Sequence, residues 1–243
     1  MTNNVWQIAT LKEKKKVAEN VLSMVFKLPK IENFKSGQHF DFRLTAPSGY
    51  VAERSYSIAN VDNNDGEVEF GIELLKDGEV SPFLWQLNPG RQLEMRGPIG
   101  GHFIWDSSMP GPLILVAGGS GMVPLMSMLR DHVLKEANSD RKIVLLLSVK
   151  TPHELLYADE LKTLMEKNTS INFFPIFTRE TPEGWTGYNR RIDKKILEET
   201  ILPVKDQMPM TYICGPTAFV ETVANELVNL GFNPHTIKTE RFG

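Results

Sequence analysis

Leu113-Ile114-Leu115-Val116-Ala117-Gly118-Gly119-Ser120-Gly121-Met122-Val123-Pro124 decides how the second half of this chain folds. Five apolar residues without alternation read as a strand buried on both faces. The glycines that follow permit a tight turn, and residues 122–134 then carry a helical pattern. A strand, then glycines, then a helix presents backbone N–H groups to a phosphate. The spacing is Gly119-x-Gly121-x-x-Pro124, so proline stands where a dinucleotide fingerprint has its last glycine. Early in a helix the N–H that Pro124 lacks would have no intrahelical partner. A purely structural strand–helix turn is the competing reading.

Further apolar runs lie at 143–149, 171–177 and 211–214, with helical segments between most of them. Such runs predict a parallel sheet with helical crossovers. Residues 217–230 show the helical period, with Phe219, Val220, Val223, Leu227 and Leu230 on one face and Gly231 at the C′ position. Upstream the texture is different. Residues 1 to about 106 carry short, partly alternating runs at 21–26, 38–44 and 67–74. Turn signals separate them at 47–49, 63–66, 76–78 and 88–90. This pattern predicts a small antiparallel barrel. Ser107-Ser108-Met109-Pro110-Gly111-Pro112 is the linker candidate, which divides the chain into 1–106 and 107–243.

Composition narrows the function. The chain has 243 residues, 41% hydrophobic and 23% charged, which excludes disorder as its main state. With 27 basic and 30 acidic residues the net charge is −3, so nucleic acid is not an expected partner. The one cysteine, Cys214, excludes a disulfide framework, a Cys-rich zinc site and an iron–sulfur cluster held by this chain alone. His39, His102, His132, His153 and His235 show no metal spacing, so no metal site is expected. Residues 1–16 are polar and then basic, unlike a signal peptide, and no run approaches a membrane span. The expected location is the cytoplasm. The basic run Lys12-Glu13-Lys14-Lys15-Lys16 is either a solvated segment or a docking patch for an acidic partner.

Three other motifs bear on chemistry. In Arg54-Ser55-Tyr56-Ser57-Ile58-Ala59-Asn60, strand alternation puts Arg54 and Tyr56 on one face and Ser55 and Ser57 on the other. Arg54 and Tyr56 either clamp a phosphate and an aromatic ring of one ligand, or are a barrel-wall tyrosine beside a surface arginine. In Gly78-Glu79-Val80-Ser81, Ser81 is read as the N-cap of a helix that starts at Pro82. Cys214-Gly215-Pro216 ends the last apolar strand, where the thiol either packs or borders a ligand.

Taken in order, Arg-x-Tyr-Ser-x-x-Asn, Gly-x-x-Ser, Gly-Gly-x-Gly-x-x-Pro and Cys-Gly-Pro resemble the ferredoxin–NADP reductase superfamily. The resemblance runs from about Gly37 to Gly243 and is strongest to stand-alone reductase modules that feed electrons to oxygenases. It implies a β plus α/β chain, with a six-stranded antiparallel FAD-binding barrel followed by a Rossmann-like nicotinamide-nucleotide domain with a parallel sheet. It implies that Arg54 and Ser55 lie at the flavin site, Arg54 on the pyrophosphate. Tyr56 would stack on the isoalloxazine and Ser57 would reach its N5 edge. Gly78, Glu79, Val80 and Ser81 would bind the same pyrophosphate. Gly119, Ser120 and Gly121 would bind the nicotinamide nucleotide, and Cys214, Gly215 and Pro216 would border its ring. Glu240 and Phe242, in the ending Thr239-Glu240-Arg241-Phe242-Gly243, would flank the site of hydride transfer. Glu240 also reads as an exposed charge at a chain end. Residues 97–103 read as a barrel-edge turn.

The coenzyme follows from charge. The second strand of the nucleotide domain ends Leu147-Ser148-Val149-Lys150, with no acid to accept from a ribose 2′-OH. By the same resemblance Lys150 and Arg179 match basic positions that hold the 2′-phosphate in family members preferring NADPH, though some NADH-using members also carry a basic residue near here, so NADPH is favoured with NADH as the other choice. Arg190 and Arg191 lie further on and also read as a solvated face. With no cluster of its own, the chain is expected to pass single electrons to a ferredoxin, a flavodoxin or an oxygenase component. The alternatives are a reductase of small acceptors, such as free flavin or ferric chelates, and an accessory electron-transfer subunit.

Overall fold

The computed structural model describes residues 5–31, 33–62, 65–135 and 139–242. Asn63 and Asn64 of one turn signal, Gly243 of the ending motif and residues 1–4 lie outside them. Six strands come first: β1 (Gln7–Ala18), β2 (Val21–Lys27), β3 (His39–Thr45), β4 (Val51–Ser57), β5 (Glu67–Glu73) and, after helix α1 (Ser81–Gln86), β6 (Gln92–Ile99). They form one antiparallel sheet in the order β4-β3-β6-β1-β2-β5. The sheet curls until its two edges meet. An Ile58–Phe70 bridge, the Ala59 N–H to Glu69 carbonyl bond (2.8 Å) and the Asn60 side chain join them. Asn60 donates to the Glu67 carbonyl (3.1 Å) and accepts from the Glu69 N–H (3.0 Å), so its amide replaces a missing rung of the ladder. Phe26, Phe40, Phe42 and Phe70 fill the barrel, with Phe42 edge-on to Phe70 at 4.9 Å.

The second half is a five-stranded parallel sheet: β7 (Leu113–Gly118), β8 (Ile143–Val149), β9 (Ile171–Phe177), β10 (Met210–Pro216) and β11 (Ile237–Phe242). Helices α2 (Met122–Lys135), α3 (Ala158–Lys167), α4 (Lys194–Thr200) and α5 (Thr217–Asn229) lie between strands. Alternation sorts the strand residues into two cores. Leu113, Leu115, Ala117, Leu145 and Leu147 pack with α2, whereas Ile114, Val116, Val144 and Leu146 pack with α4 and α5. The order β11-β10-β7-β8-β9 reverses direction between β7 and β10. In such sheets the crevice at the carboxyl ends of those two strands is where ligands bind.

Helix α2 joins the halves. Its core is continuous with Ala18, Val21 and Ala59 of the barrel. Arg130 donates to the Ala59 carbonyl (2.9 Å), to Glu69 (2.8 Å) and through two nitrogens to Glu160 (2.7 Å each). Ser127 Oγ donates to the Asn60 carbonyl at 2.7 Å. Gly71 is needed here because a Cβ would stand 2.3 Å from Val123 Cγ2.

Three local readings change. Ser81 is not the N-cap of α1: Val80 holds that position, and Ser81 Oγ instead accepts from the Leu75 N–H at 3.0 Å. The pull of the preceding loop outweighs capping because Ser81 is buried beneath it. The basic run lies within β1, where Lys12, Lys15 and Lys16 are exposed as in a solvated strand, and Lys14 alone departs, being partly buried and engaged. Its ammonium donates to the Trp85 and Leu87 carbonyls at 2.9 Å each, closing the C-terminal end of α1. Residues 97–99 continue β6 rather than turn. Among the described residues no helix is long and apolar enough to cross a membrane.

Candidate active site

The glycine turn stands at the sheet's switch point. Gly119 adopts φ +56°, a left-handed conformation that glycine takes without strain, and a Cβ there would meet nothing within 4 Å among the described residues. Gly121 is held by sterics instead: a Cβ would lie 2.1 Å from the Cys214 carbonyl oxygen. A Cβ on Gly215 would meet Phe219 at 2.7 Å and the Gly118 Cα at 3.2 Å. The ends of β7 and β10 therefore touch backbone to backbone, and both segments need glycine to do so. Ser120 Oγ donates to Glu73 Oε2 at 2.6 Å.

Three predicted residues from distant parts of the chain converge beside that turn. β11 pairs with β10 in a register that sets Glu240 next to Cys214 and Phe242 next to Pro216. Glu240 is thus part of an edge strand, not a free tail charge, and its Oε1 accepts from Ser57 Oγ of the barrel at 3.2 Å. Burial raises the Glu240 carboxyl above the ordinary carboxylate value, against the hydrogen bond from Ser57. Burial, and then the Glu240 charge, push the Cys214 thiol well up. A thiol of that kind stays protonated at neutral pH and is no nucleophile, so what it offers is position.

The second cluster is on the barrel. Register sets Arg54 opposite Phe42 and Tyr56 opposite Phe40, and Ser55 opposite Asp41, as alternation predicts. Tyr56 is half-buried with its ring 4.9 Å from Phe42, and burial pushes its hydroxyl up to about 12. Arg54 is exposed, donates to its neighbour's Glu53 carbonyl (2.7 Å), and is near enough to Tyr56 and Tyr50 to influence both. Tyr50 donates to Glu79 Oε1 at 2.9 Å, which ties the β3–β4 hairpin to the Gly78–Ser81 segment beside Arg54. The backbone N–H groups of Glu79 and Val80 find no backbone acceptor among the described residues. Ser55 differs from its neighbours: its hydroxyl is committed to Asp41 (2.7 Å), which also accepts from Arg96 at 2.6 Å.

Lys150 and Arg179 lie together at the carboxyl ends of β8 and β9. Both are exposed, and the Arg179 N–H donates to the Lys150 carbonyl at 3.0 Å. Arg190 is engaged elsewhere, paired with Asp193 at 2.7 Å. Among the described residues no three His, Cys, Asp or Glu side chains cluster as metal ligands would. Sequence reading did not single out Glu73 or Arg130. The signal of Glu73 was faint, since an acid at the end of β5 reads as the solvent face of an alternating strand, and Arg130 is one charge in the largely apolar helix α2.

Two family models match the chain, one after the other. The oxidoreductase FAD-binding domain matches residues 8–104 and the oxidoreductase NAD-binding domain residues 115–225. An NADH-cytochrome b5 reductase 1 from Mycosarcoma maydis is 27% identical over 236 residues, covering 96% of this chain and 72% of that protein. Solved structures share the fold. The cytochrome b5 reductase domain of Ulva prolifera nitrate reductase aligns with a TM-score of 0.85 at 23% identity, over 99% of each chain. A ferredoxin NADP+ reductase from Neisseria gonorrhoeae with bound FAD and NADP aligns at 0.80 and 21% identity, over 97% of this chain and 98% of that one. With both models matched in that order on an antiparallel barrel and a parallel sheet, the chain belongs to the ferredoxin–NADP reductase superfamily and is a flavin-dependent oxidoreductase that uses a nicotinamide nucleotide.

Proposed function

We propose that this chain takes reducing equivalents from NADPH into FAD and delivers them singly to a separate carrier: a ferredoxin, a flavodoxin or an oxygenase component. The observation that carries this reading is the meeting of Ser57, Glu240 and Cys214 where the barrel joins the parallel sheet. The residues fit both ligands. An exposed guanidinium at Arg54, a half-buried ring at Tyr56 and the amides of Glu79 and Val80 suit a flavin bearing a pyrophosphate. Gly119, Ser120 and Gly121 suit a second dinucleotide at the switch point. Bound FAD supplies hydride acceptance and one-electron release.

The protein's part is orientation. Ser57 presents a hydroxyl at the barrel rim, backed by the Glu240 carboxyl, and Cys214 with Gly215 and Pro216 sets the depth to which the nicotinamide ring enters. Phe242 stands at the edge of the same cleft. Glu240 keeps its proton to a higher pH than an ordinary carboxyl and so can hold one beside Ser57. Lys150 and Arg179 give the adenine end a basic surface, which favours a 2′-phosphate. NADH has support of its own in the name of the Mycosarcoma maydis relative. We place the division of labour at residues 1–106 and 107–243, and the free thiol fits a reducing compartment such as the cytoplasm.

Anaerobic stopped-flow absorbance, with NADPH and NADH mixed separately against the FAD-loaded protein, tests the reading. Rapid bleaching of the flavin band by NADPH, slower by NADH, is the expected result. Bleaching led by NADH would reverse the coenzyme choice. A protein that neither coenzyme reduces would be an accessory subunit, and one that turns over only with added flavin would be a small-acceptor reductase.

A further inference from the structure

Strand β5 turns Glu69, Gly71 and Glu73 toward helix α2, since alternate residues share a face. Each meets its own counterpart. Glu69 pairs with the Arg130 guanidinium at 2.8 Å, Gly71 admits Val123, and Glu73 reaches the glycine turn, where Oε2 accepts from Ser120 Oγ at 2.6 Å. The other Glu73 oxygen accepts from Asn20 Nδ2 at 3.0 Å, which fixes the carboxylate from behind. The two glutamates differ in one respect. Arg130 answers the charge of Glu69, whereas among the described residues the partners of Glu73 are a hydroxyl and an amide, neither of them charged.

Resting on the reading of Gly119, Ser120 and Gly121 as the diphosphate turn, we propose that Glu73 sets how tightly the nicotinamide nucleotide is held. A hydroxyl has one proton, and while Ser120 gives it to Glu73 it is withheld from a phosphate oxygen. An anionic carboxylate at hydrogen-bonding distance from that turn also repels the diphosphate. Glu73 therefore keeps nucleotide affinity below what the bare turn would supply and speeds release of the oxidised product. The diphosphate is common to both coenzymes, so the effect falls on NADP+ and NAD+ alike. That separates it from the 2′-phosphate discrimination assigned to Lys150 and Arg179.

Glu73→Gln removes the charge and keeps the shape. Asn20 can accommodate it, because Asn20 Oδ1 is buried without a partner among the described residues and an amide flip would turn it toward the new Gln N–H. Isothermal titration of the FAD-loaded full chain with NADP+ and with NAD+ is the test. Both Kd values should fall by about tenfold at low salt, with the gain shrinking at high salt. Unchanged or weaker binding of both would overturn the proposal, and a gain confined to one coenzyme would do so as well. Ser120→Asp separates this from the underlying reading, since a second carboxylate on the turn should weaken both nucleotides by about tenfold or more. If Ser120→Asp changes nothing, the nucleotide does not sit on this turn and both readings fall. If Ser120→Asp weakens binding and Glu73→Gln leaves it unmoved, only the role of Glu73 is lost.

Discussion

Replacing Gly121 by alanine should separate hydride delivery from flavin binding. The new Cβ would lie 2.1 Å from the Cys214 carbonyl oxygen, 2.5 Å from its carbon and 2.9 Å from the Gly215 nitrogen. A relaxed carbon–oxygen contact is about 3.3 Å or more, so the turn and the end of β10 must part by roughly 1 Å. Neither side is a flexible side chain, so the strain falls on two backbones. Overpacking of this kind costs about 1–3 kcal/mol. In a chain of this size that lowers Tm by roughly 2–4 °C per kcal/mol. The larger effect is geometric. Under the proposed function Cys214 and Gly215 would border the nicotinamide, and a misplacement of about 1 Å can reduce a rate by ~10²-fold. Single-turnover reduction by NADPH should therefore slow by about that factor while FAD content stays at the wild-type level. Gly119→Ala is the comparison: its Cβ meets nothing within 4 Å, and only the left-handed backbone resists, at about 1–2 kcal/mol. Wild-type reduction rates in Gly121→Ala would refute the assignment of the β10 end to the nicotinamide.

Arg54→Ala should lose flavin on gel filtration, with FAD affinity weaker by about 10–100-fold for one charge-assisted contact removed. Full FAD occupancy after dialysis would show that Arg54 does not hold the pyrophosphate. Lys150→Ala and Arg179→Ala should each raise the KM for NADPH by about tenfold and leave that for NADH nearly unchanged, and equal effects would remove the 2′-phosphate argument. Glu240→Gln should alter the pH profile of stability. The folded carboxyl titrates above its ordinary value of 4.5, so its favourable contribution is complete below that value and is lost as pH rises through the folded one. The Tm of Glu240→Gln relative to wild type should therefore increase as pH rises above the ordinary value of 4.5 and level off once the folded carboxyl has ionised, and a flat difference would contradict burial as the cause.

Most of the parallel half was legible because four of its five strands, β7 to β10, are largely apolar runs separated by helical segments. The glycine turn, α2 and the end of β10 all follow from those runs. The barrel's wall was harder to read. β1 carries four lysines in five residues at Lys12–Lys16, a composition that suggests solvent, yet Lys14 runs back over the sheet to close α1. Its place depends on a contact more than 70 residues away, which no local pattern records. β11 was hidden for the opposite reason. As an edge strand it needs few apolar residues, so composition alone read Glu240 as a charge at a chain end and only the family resemblance set it at the site; the register with β10 brings it beside Cys214. Ser81 shows a local rule losing to a tertiary one, since its capping hydroxyl is taken by the Leu75 loop.

The seam explains why such a site needs more than its own residues. Ser57 and Glu240 are 183 positions apart and belong to different sheets, so their 3.2 Å contact persists only while the barrel and the parallel sheet keep their relative placement. A rocking of the two halves by even 1 Å would open that bond. What resists it is the line of contacts along β5 and α2: Arg130 fixed by Glu69 and Glu160, Val123 seated on Gly71, and Ser127 bonded to the Asn60 carbonyl. Asn60 serves two purposes, closing the barrel through its side chain and accepting α2 through its backbone. In the proposed arrangement the Arg-x-Tyr-Ser-x-x-Asn segment would carry ligand groups at one end, and it holds the anchor of the second half at the other. A change at Asn60 would be felt at Ser57, three residues away, by shifting the strand that presents it.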